Sequence, residues 1–554
     1  MRFSRLGDAL WVPAASLAVA LGAGRAAYGL DRTDEGQYLQ LIRDPSGDPA
    51  TVFSFGYFLR PVMFLLGGDV RGLRLVGFAI TAALAAALLV AIGRRVGATG
   101  WRPAALAIVG ALASLIAFAW FPMTPSYNTM ALWGVLVAAC GLTRLTDGQG
   151  PEHAGRGCVL TGFGGALAGL GKPTSGVAAL AVALAVVLAT SLTDPAPRAV
   201  SRHAPGRWGV VGHRLMSVLG GLALGGLALV VVSWRSPADL LRTALAGLES
   251  VQLLRGHEQL LRLDPIDPAA PVAALGGLIG RTAGPTTLQA LWLIPLAAAC
   301  VALAGAVRAR RRVTEAERPT DLRTTVLLPA LVALPLCYSF GTNGNLWAAP
   351  GRAAPLWIAA LLLAVGIPRP KQVRTIGAAL GALVLVAGVG LAARDTYYRY
   401  PAPDGSRAAA TIDTDGNTLD LTADDAAATA ALLRDGAKAS GHDVLDTTGA
   451  SAGYIYQLGA HPVGSSWLIG GYPGSADAAR HALGLESCER VRSAYVLYSP
   501  DSPRRIDAIL GDHRLTPDDY RVLATVKHQL GWKLQLLEPG PNVAKKMPCR
   551  PAPM

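Results

Sequence analysis

The sequence predicts a polytopic α-helical membrane protein that carries a soluble α/β or α+β domain at its C-terminus. Of its 554 residues, 52% are hydrophobic and only 16% are charged, and the mean hydropathy is +0.38. Soluble proteins rarely have so little charge, so this composition indicates several membrane spans. From about residue 394 onwards charged and turn residues become frequent, and no later run is long enough to cross a bilayer.

The apolar runs predict about eleven transmembrane helices. They lie near residues 9–29, 72–93, 103–121, 127–145, 157–171, 174–192, 215–234, 286–306, 324–340, 353–368 and 374–393. The first run is too long for a secretory signal and lacks a clear cleavage site, so we expect it to be retained. The fifth run is short and rich in glycine, which predicts a tilted or broken helix buried among its neighbours.

The basic residues predict the orientation of these spans. Arginine clusters precede the first run and separate the second from the third, the fourth from the fifth, the sixth from the seventh, the eighth from the ninth and the tenth from the eleventh. All of them fall on one side, which the excess of positive charge identifies as cytoplasmic, together with the N-terminus. We therefore expect a transmembrane domain over 1–393, with outer loops at 31–71 and 235–285, and an extracytoplasmic soluble domain over 394–554.

The second outer loop and the tail contain recognisable local patterns. In the loop, LLRTALAGLESVQLLRGHEQLLRL has leucines at helical spacing, which predicts an amphipathic helix on the membrane surface. In the tail, LTADDAAATAALLRDGAKA predicts a helix capped by Thr422, and the runs at 444–446 and 493–499 predict strands. Cys488 and Cys549 are the tail's two cysteines, and we expect a disulfide between them in an oxidising compartment, or otherwise two free thiols.

Two adjacent carboxylates, Asp34 and Glu35, follow the first apolar run at its predicted outer end. The low dielectric of the membrane strengthens every charge interaction at such a place, and a lipid-borne phosphate can be handled there. The alternative is a solvated loop in which Thr33 or Asp34 caps a helix.

The order of motifs around these carboxylates resembles the opening of the C-type glycosyltransferases, the polytopic enzymes that include protein mannosyltransferases and the aminoarabinose transferase of lipid A. The resemblance lies in TDEGQYLQLI, in FGYFLRPVMFLLGGDVRGLRLVGFAITAALAAALLVAIGRRVG and in GALAGLGKPTSGVAAL. The matching positions are Asp34, Glu35, Tyr38, Pro61, the Gly67-Gly68-Asp69 turn, Arg74, Lys172 and Pro173. It covers residues 8–190 well, and the later spans only by their architecture.

This resemblance implies transfer of a sugar from a polyprenyl-phosphate carrier to a protein, glycan or lipid acceptor on the extracytoplasmic side of the membrane. The high content of alanine, glycine and arginine suggests a bacterial source, so we expect the inner (plasma) membrane of a bacterium. A glycosyl phosphate already has a good leaving group, so the enzyme mainly activates the acceptor and stabilises the phosphate. Asp34 is the expected general base, with an elevated pKa near the membrane, and Glu35 is expected to orient the acceptor or to assist Asp34. Either carboxylate could hold Mg²⁺ or Mn²⁺, although the mechanism requires no metal. A single displacement would invert the anomeric carbon.

Three cations are candidates for contact with the donor phosphate. Lys172 lies between the fifth and sixth runs, on the predicted outer side, with Pro173, Thr174 and Ser175 beside it. Arg352 lies at the entry to the tenth run, and Arg60 lies in the first outer loop. The alternatives are snorkelling of Lys172 at the membrane interface, and pairing of Arg60 with Asp69 or with lipid head groups.

Several polar side chains near the predicted outer ends of the spans are candidates for binding the substrate: Tyr38, Tyr127, Asn128, Asn343 and Asn345. Tyr127 and Asn128 open the fourth run, where an aromatic belt is the alternative explanation. Asn343 and Asn345 belong to FGTNGNLWAAPGRAAPLW, a turn-rich segment between two apolar runs, which is costly in a membrane unless it lines a cavity.

The charge pattern argues against a nucleic-acid partner, because the net charge of +13 is concentrated in short loops between spans. Two other function classes stay open. A lipid-linked polysaccharide polymerase or ligase would use arginines and a histidine in a large outer loop, as at Arg242, Arg255, His257 and Arg262. A transporter or flippase would have charges within the spans and a repeat between its halves, and the sequence contains few such charges and no evident repeat.

Overall fold

The computed structural model describes residues 2–119, 121–193, 206–254, 318–341, 349–366 and 407–549, together with isolated helical positions between 296 and 304 and at 386. The first part of the chain is helical. Its helices are α1 (Arg2–Ala26), α2 (Asp34–Arg43), α3 (Phe55–Leu65), α4 (Val70–Arg95), α5 (Arg102–Ala117), α6 (Tyr127–Leu145), α7 (Pro151–Gly171), α8 (Pro173–Thr193), α9 (Arg207–Ser233), α10 (Pro237–Leu253), α11 (Arg318–Ser339) and α12 (Ala354–Gly366), with a 3₁₀ turn at Ala349–Arg352.

Four helices in the described part of the chain are long and apolar enough to cross a membrane. They are α4, α6, α8 and α9. Shorter apolar helices occupy the predicted runs at 103–121, 324–340 and 353–368, while the runs at 286–306 and 374–393 lie almost wholly outside the described residues. The membrane character of the chain is therefore supported, whereas the count of eleven spans stays a prediction.

The glycine-rich fifth run forms part of α7, which is unbroken from Pro151 to Gly171. The expectation of a broken helix was wrong because the glycines serve close packing against α6 rather than a kink. A Cβ at Gly134 would lie 2.2 Å from the backbone nitrogen of Ala168, and one at Gly141 would lie 2.6 Å from the carbonyl oxygen of Gly157. Small residues on both helices thus bring the two backbones together, as in other membrane helix pairs.

The C-terminal region mixes strands and helices. Its strands are β1 (Ala408–Thr411), β2 (Thr418–Leu421), β3 (Asp443–Asp446), β4 (His461–Pro462), β5 (Tyr495–Tyr498), β6 (Tyr520–Lys527) and β7 (Lys533–Pro539). Its helices are α13 (Ala423–Asp435), α14 (Ala452–Gln457), α15 (Ser475–Gly484), α16 (Cys488–Ser493), α17 (Ala508–Gly511) and α18 (Pro541–Lys546). A five-stranded sheet has the order β4-β3-β5-β7-β6, in which β3 is parallel to β4 and β5, and β7 is antiparallel to β5 and β6.

The local predictions for this region can be compared directly with the structure. The Thr422 side chain caps α13 by accepting a hydrogen bond from the backbone N–H of Asp425. Cys488 and Cys549 form a disulfide, with their Cα atoms 5.6 Å apart. The strand expected at 493–499 begins only at Tyr495, because α16 occupies the residues before it.

The C-terminal region packs tightly against the segment that follows α1, which includes α2 and α3. Strands β1 and β2 form an antiparallel hairpin, and Asp420 of β2 exchanges backbone hydrogen bonds with Ala27 and Gly29, just after α1. One apolar core contains side chains of α2 and α3 together with Ile412, Leu419 and others of the C-terminal region. This shared core positions the segment that carries Asp34 and Glu35.

Candidate active site

Asp34 differs in exposure from every neighbour in its segment. From Asp31 to Ile42 each residue is buried except Asp34, which is half-buried at the first position of α2. Thr33 precedes the helix, but its hydroxyl donates to the carboxylate of Asp31 (2.7 Å) and does not cap α2. The backbone of α2 is held rigidly, because a Cβ on Gly36 would lie 2.1 Å from the backbone nitrogen of Gly453. The segment therefore presents one accessible carboxylate on a fixed frame.

Glu35 points the other way and is completely buried, at 0% exposure. Its Oε1 accepts from Nε (2.9 Å) and Nη2 (2.7 Å) of Arg74 and from the hydroxyl of Thr124. Its Oε2 accepts from the backbone N–H of Asp31 (2.9 Å). Both carboxylate oxygens are thus occupied by protein donors, which fits a residue that positions the segment. The acceptor-orienting or metal-binding role of Glu35 stays a prediction.

Side chains of the C-terminal region contact Arg32, which lies two residues before Asp34 in the sequence. The Arg32 guanidinium is buried and donates to Asp425 (2.7 Å), Thr429 (2.7 Å) and Gln457 (3.0 Å). Its backbone N–H donates to the side chain of Gln529, which in turn donates to Asp31 (2.9 Å). Residues almost 500 positions away in the chain therefore fix the loop that carries Asp34.

Lys172 and Arg352 lie together at the same end of the helices. Lys172 is 2% exposed, and its Nζ donates to the carbonyl oxygen of Tyr338 (2.7 Å) and lies 4.9 Å from the centre of that tyrosine ring. Arg352 interacts electrostatically with both Lys172 and Tyr338, and it stacks on Phe121 at 3.9 Å. Within the described residues no carboxylate pairs with Lys172. A buried lysine beside a half-buried arginine favours an anionic ligand.

Tyr127 connects the carboxylate to these cations. Its phenol is close enough to Asp34 and to Tyr338 to interact electrostatically with both. Its ring stacks on Phe53, with the centroids 4.2 Å apart, and meets Tyr38 edge-on at 5.6 Å. Asp34 and the Lys172–Arg352 pair therefore flank one aromatic group formed by tyrosines at the start of α6 and the end of α11.

Asn128 follows Tyr127 and is 2% exposed. Neither its amide nitrogen nor its amide oxygen has a hydrogen-bond partner among the residues that the structure describes. The side chain lines a small cavity with Phe121 and Tyr338, beside Arg352. A buried amide without a partner is costly, so this position suits a polar ligand group.

The remaining sequence candidates are placed differently. Arg60 lies exposed on α3, and within the described part of the chain it forms no ion pair. The proposed partner Asp69 instead caps α4 by accepting from the N–H groups of Arg71 and Gly72. Arg242 is exposed and pairs with Asp239 on α10 (3.1 Å). The other predicted site residues lie outside the residues that the structure describes: Asn343, Asn345, Arg255, His257 and Arg262.

A second cavity, the outer cavity, begins one helical turn beyond Asp34, at Gln37. It has a volume of about 80 Å³ and lies between the loop at 48–53, the end of α10 and the segment from Ser465 to Ala482. Asp48 closes one wall: its carboxylate accepts from the hydroxyl of Ser466 (2.7 Å), and burial raises its pKa. Trp467 and Phe53 supply aromatic faces.

Sequence reasoning missed Gln37, Asp48, Tyr338 and Arg32. Of these, Tyr338 carried a signal, since it is a tyrosine near the outer end of an apolar run. Gln37 lies one turn after Asp34, on the same helical face, which also could have been read from the spacing. Arg32 and Asp48 depend on partners hundreds of residues away, and no local pattern indicates them.

Among the described residues there is no group of three or more histidine, cysteine, aspartate or glutamate side chains that could hold a metal ion. Glu35, the adjacent carboxylate, accepts hydrogen bonds from Arg74, Thr124 and the backbone N–H of Asp31. We therefore derive no step through a divalent cation.

Comparison by sequence finds no match, either to a protein-family model or to a curated protein. Comparison of structures does find similar folds. ArnT from Cupriavidus metallidurans bound to undecaprenyl phosphate is 14% identical over 96% of this chain and 97% of that chain, with a TM-score of 0.49. The archaeal oligosaccharyltransferase AglB from Archaeoglobus fulgidus, in complex with an inhibitory peptide and a dolichol-phosphate, is 12% identical over 89% of this chain and 70% of that chain, with a TM-score of 0.46.

Proposed function

We propose that this protein is an integral-membrane glycosyltransferase that moves a sugar from a polyprenyl-phosphate carrier to a hydroxyl group of an acceptor. One observation carries the proposal: the half-buried carboxylate of Asp34 and the two cations, buried Lys172 and half-buried Arg352, flank the same pair of tyrosines, Tyr127 and Tyr338. A base on one side and a phosphate site on the other are what a single displacement at an anomeric carbon needs.

Lys172 and Arg352 bind the donor phosphate. Both lie at an end of the apolar helices, where a polyprenyl chain can remain in the lipid while its phosphate enters the protein. In the free protein the two cations repel each other, and a phosphate between them relieves that repulsion and forms charge-assisted hydrogen bonds. The same contacts become stronger as the carbon–oxygen bond to phosphate breaks, because negative charge then develops on the phosphate.

Asp34 acts as the general base. The acceptor oxygen forms a bond to the anomeric carbon while the bond from that carbon to the phosphate oxygen breaks. The hydroxyl proton passes to the carboxylate of Asp34, and the electron pair of the broken bond leaves on the phosphate. One displacement inverts the anomeric configuration. Glu35 and Arg74 do not touch the reacting atoms in this scheme; they hold the start of α2 in place.

The outer cavity is the proposed route for the acceptor. It opens beside Gln37, which shares a helix with Asp34, and combines the aromatic faces of Phe53 and Trp467 with the polar side chains of Gln37 and Ser250. This combination suits a group with an apolar face and hydroxyls, such as a sugar ring. We place this cavity and residues 394–554 on the extracytoplasmic side of a bacterial plasma membrane, with the N-terminus in the cytoplasm.

The separate roles proposed for Lys172, which binds the donor phosphate, and Asp34, which acts as the base, can be tested by measuring the binding of undecaprenyl phosphate. Purified full-length protein in detergent is titrated with undecaprenyl phosphate. Lys172→Gln is expected to weaken binding at least tenfold, which corresponds to about 1.4 kcal/mol. Lys172→Arg should keep most of the affinity, and Asp34→Asn should bind like the wild type. Lys438→Gln, an exposed lysine in the C-terminal region, is the matched control. Wild-type affinity in Lys172→Gln would contradict the assignment.

A further inference from the structure

A large polar cavity lies far from Asp34. It has a volume of about 950 Å³ and lies between α4, α6, α7 and the start of α11. Four arginines line it: Arg94, Arg95, Arg144 and Arg323. We call it the inner cavity.

The inner cavity lies at the opposite end of α4 from the candidate active site. Arg74, near the start of α4, pairs with Glu35, whereas Arg94 is 20 residues further along the same helix. At 1.5 Å per residue this separation is about 30 Å, which equals the thickness of the hydrocarbon core of a bilayer. The two sites therefore face opposite surfaces of the membrane, and the inner cavity lies at the surface predicted to be cytoplasmic.

The charge of the inner cavity is strongly positive. Asp147 is the one carboxylate among its lining residues, and it contacts His153 at 2.9 Å. Arg95 is anchored by hydrogen bonds to the hydroxyls of Thr146 (2.8 Å) and Thr324 (3.4 Å). Arg94 and Arg144 form no ion pair with any side chain that the structure describes. Such a cluster of guanidinium groups around an open volume is suited to a phosphate, which guanidinium binds in a bidentate manner.

Part of the remaining lining is apolar. Ala87, Val90 and Ala91 of α4 and Leu160 of α7 form the wall next to the arginines. The cavity thus combines a cationic rim at the membrane surface with an aliphatic wall that extends towards the bilayer. A free phosphate would use only the rim, whereas a phospholipid would use both parts.

We propose that the inner cavity binds the phosphate group of an anionic membrane phospholipid from the leaflet opposite the active site, with Arg94, Arg95, Arg144 and Arg323 around the phosphate and an acyl chain along α4 and α7. The arginines at this surface then have a role beyond orienting the chain in the membrane. A lipid here would join α4, α6, α7 and α11 at the end where the described residues otherwise leave an open volume.

The proposal is tested by titrating delipidated full-length protein in detergent with phosphatidylglycerol, phosphatidylcholine or inorganic phosphate, with retained lipid counted by native mass spectrometry. Phosphatidylglycerol is expected to bind at least tenfold more tightly than phosphatidylcholine. The double variant Arg94→Gln/Arg144→Gln should lose that preference, while Arg144→Lys should keep most of it. Arg156→Gln is the matched control, because Arg156 lies on α7 at the same end but is exposed and paired with Glu152.

Two results would overturn the proposal. Equal preference for phosphatidylglycerol in the wild type and the double variant would show that these arginines do not form the site. Saturation by inorganic phosphate at the concentration at which phosphatidylglycerol binds would assign the site to a free anion instead of a lipid. If the double variant unfolds, the preference for phosphatidylglycerol is measured with Arg144→Gln alone and the same criteria apply. Arg144 is exposed, so its replacement leaves the helix packing intact.

Discussion

The buried pair of Glu35 and Arg74 offers a sharp test of how the active-site segment is held. We consider Arg74→Met, which keeps the length of the side chain but removes its charge and all of its donors. In the wild type Arg74 is 2% exposed and donates to Glu35 and to the carbonyl oxygens of Ala26 (2.9 Å), Tyr28 (3.2 Å) and Gly29 (2.7 Å).

The expected loss of stability follows from what the substitution leaves behind. Glu35 would remain as an uncompensated buried carboxylate, and removal of one partner from such a pair costs about 3–5 kcal/mol. Glu35→Gln in the same background removes the stranded charge. The double variant should therefore be more stable than the sum of the two single changes predicts, with a coupling energy of about 2–3 kcal/mol.

The assay is a double-mutant cycle on unfolding free energies, measured by tryptophan fluorescence during titration with sodium dodecyl sulfate in mixed micelles. Arg71→Gln is the control, since Arg71 is exposed one turn earlier on α4. Transfer activity should fall with Arg74→Met even in preparations that remain folded, because α2 loses its anchor. A coupling energy below about 0.5 kcal/mol, the usual scatter of additivity, would refute the view that this pair holds the segment.

Three further predictions concern the C-terminal region. Arg32→Gln should lower the free energy of unfolding by about 2–3 kcal/mol, as expected for a lost charged hydrogen bond. It should also speed amide hydrogen exchange over residues 27–43. Asp425→Asn leaves the other Arg32 contacts in place and should have the smaller effect. The Cys488–Cys549 disulfide closes a loop of 61 residues. Replacing both cysteines by serine should therefore destabilise the region by about 4 kcal/mol in the chain-entropy account. The change should appear as a lower thermal midpoint, and adding reductant to the wild type should lower the midpoint in the same way. Burial lowers the pKa of His528 from 6.5 to about 3, so the folded state binds this proton less readily than the unfolded state does. The free energy of unfolding should therefore fall by about 2 kcal/mol between pH 6.5 and pH 5. His528→Asn should reduce this dependence of stability on pH.

The sequence predicted those features that depend on local patterns. Apolar runs located the helices, and Thr422 located the start of α13 from its capping position. The order of motifs selected Asp34 and Lys172, and the turn-rich segment before the tenth run selected Arg352. The structure brings all three near Tyr127 and Tyr338.

Features that depend on contacts between distant residues could not be predicted in this way. The pairing of Glu35 with Arg74, 39 residues later in the chain, is visible only in the fold. The role of Arg32 depends on Gln457 and Asp425, almost 400 residues or more away, and a single sequence contains no signal for such a contact. The fifth run was misjudged for a similar reason: glycine lowers helix propensity locally, but here the neighbouring backbone of α6 requires it.

The central claim is that Asp34 takes the proton of the acceptor while the donor is held elsewhere. The most direct measurement is turnover of polyprenyl-phosphate sugars, radiolabelled in the sugar, by wild type and Asp34→Asn in membranes that supply the acceptor. Asp44→Asn, at the other end of α2, is the matched control. We expect Asp34→Asn to lose about 10²–10⁴-fold in turnover, the usual contribution of a general base, with undecaprenyl phosphate still bound normally. Wild-type turnover by Asp34→Asn would contradict the account.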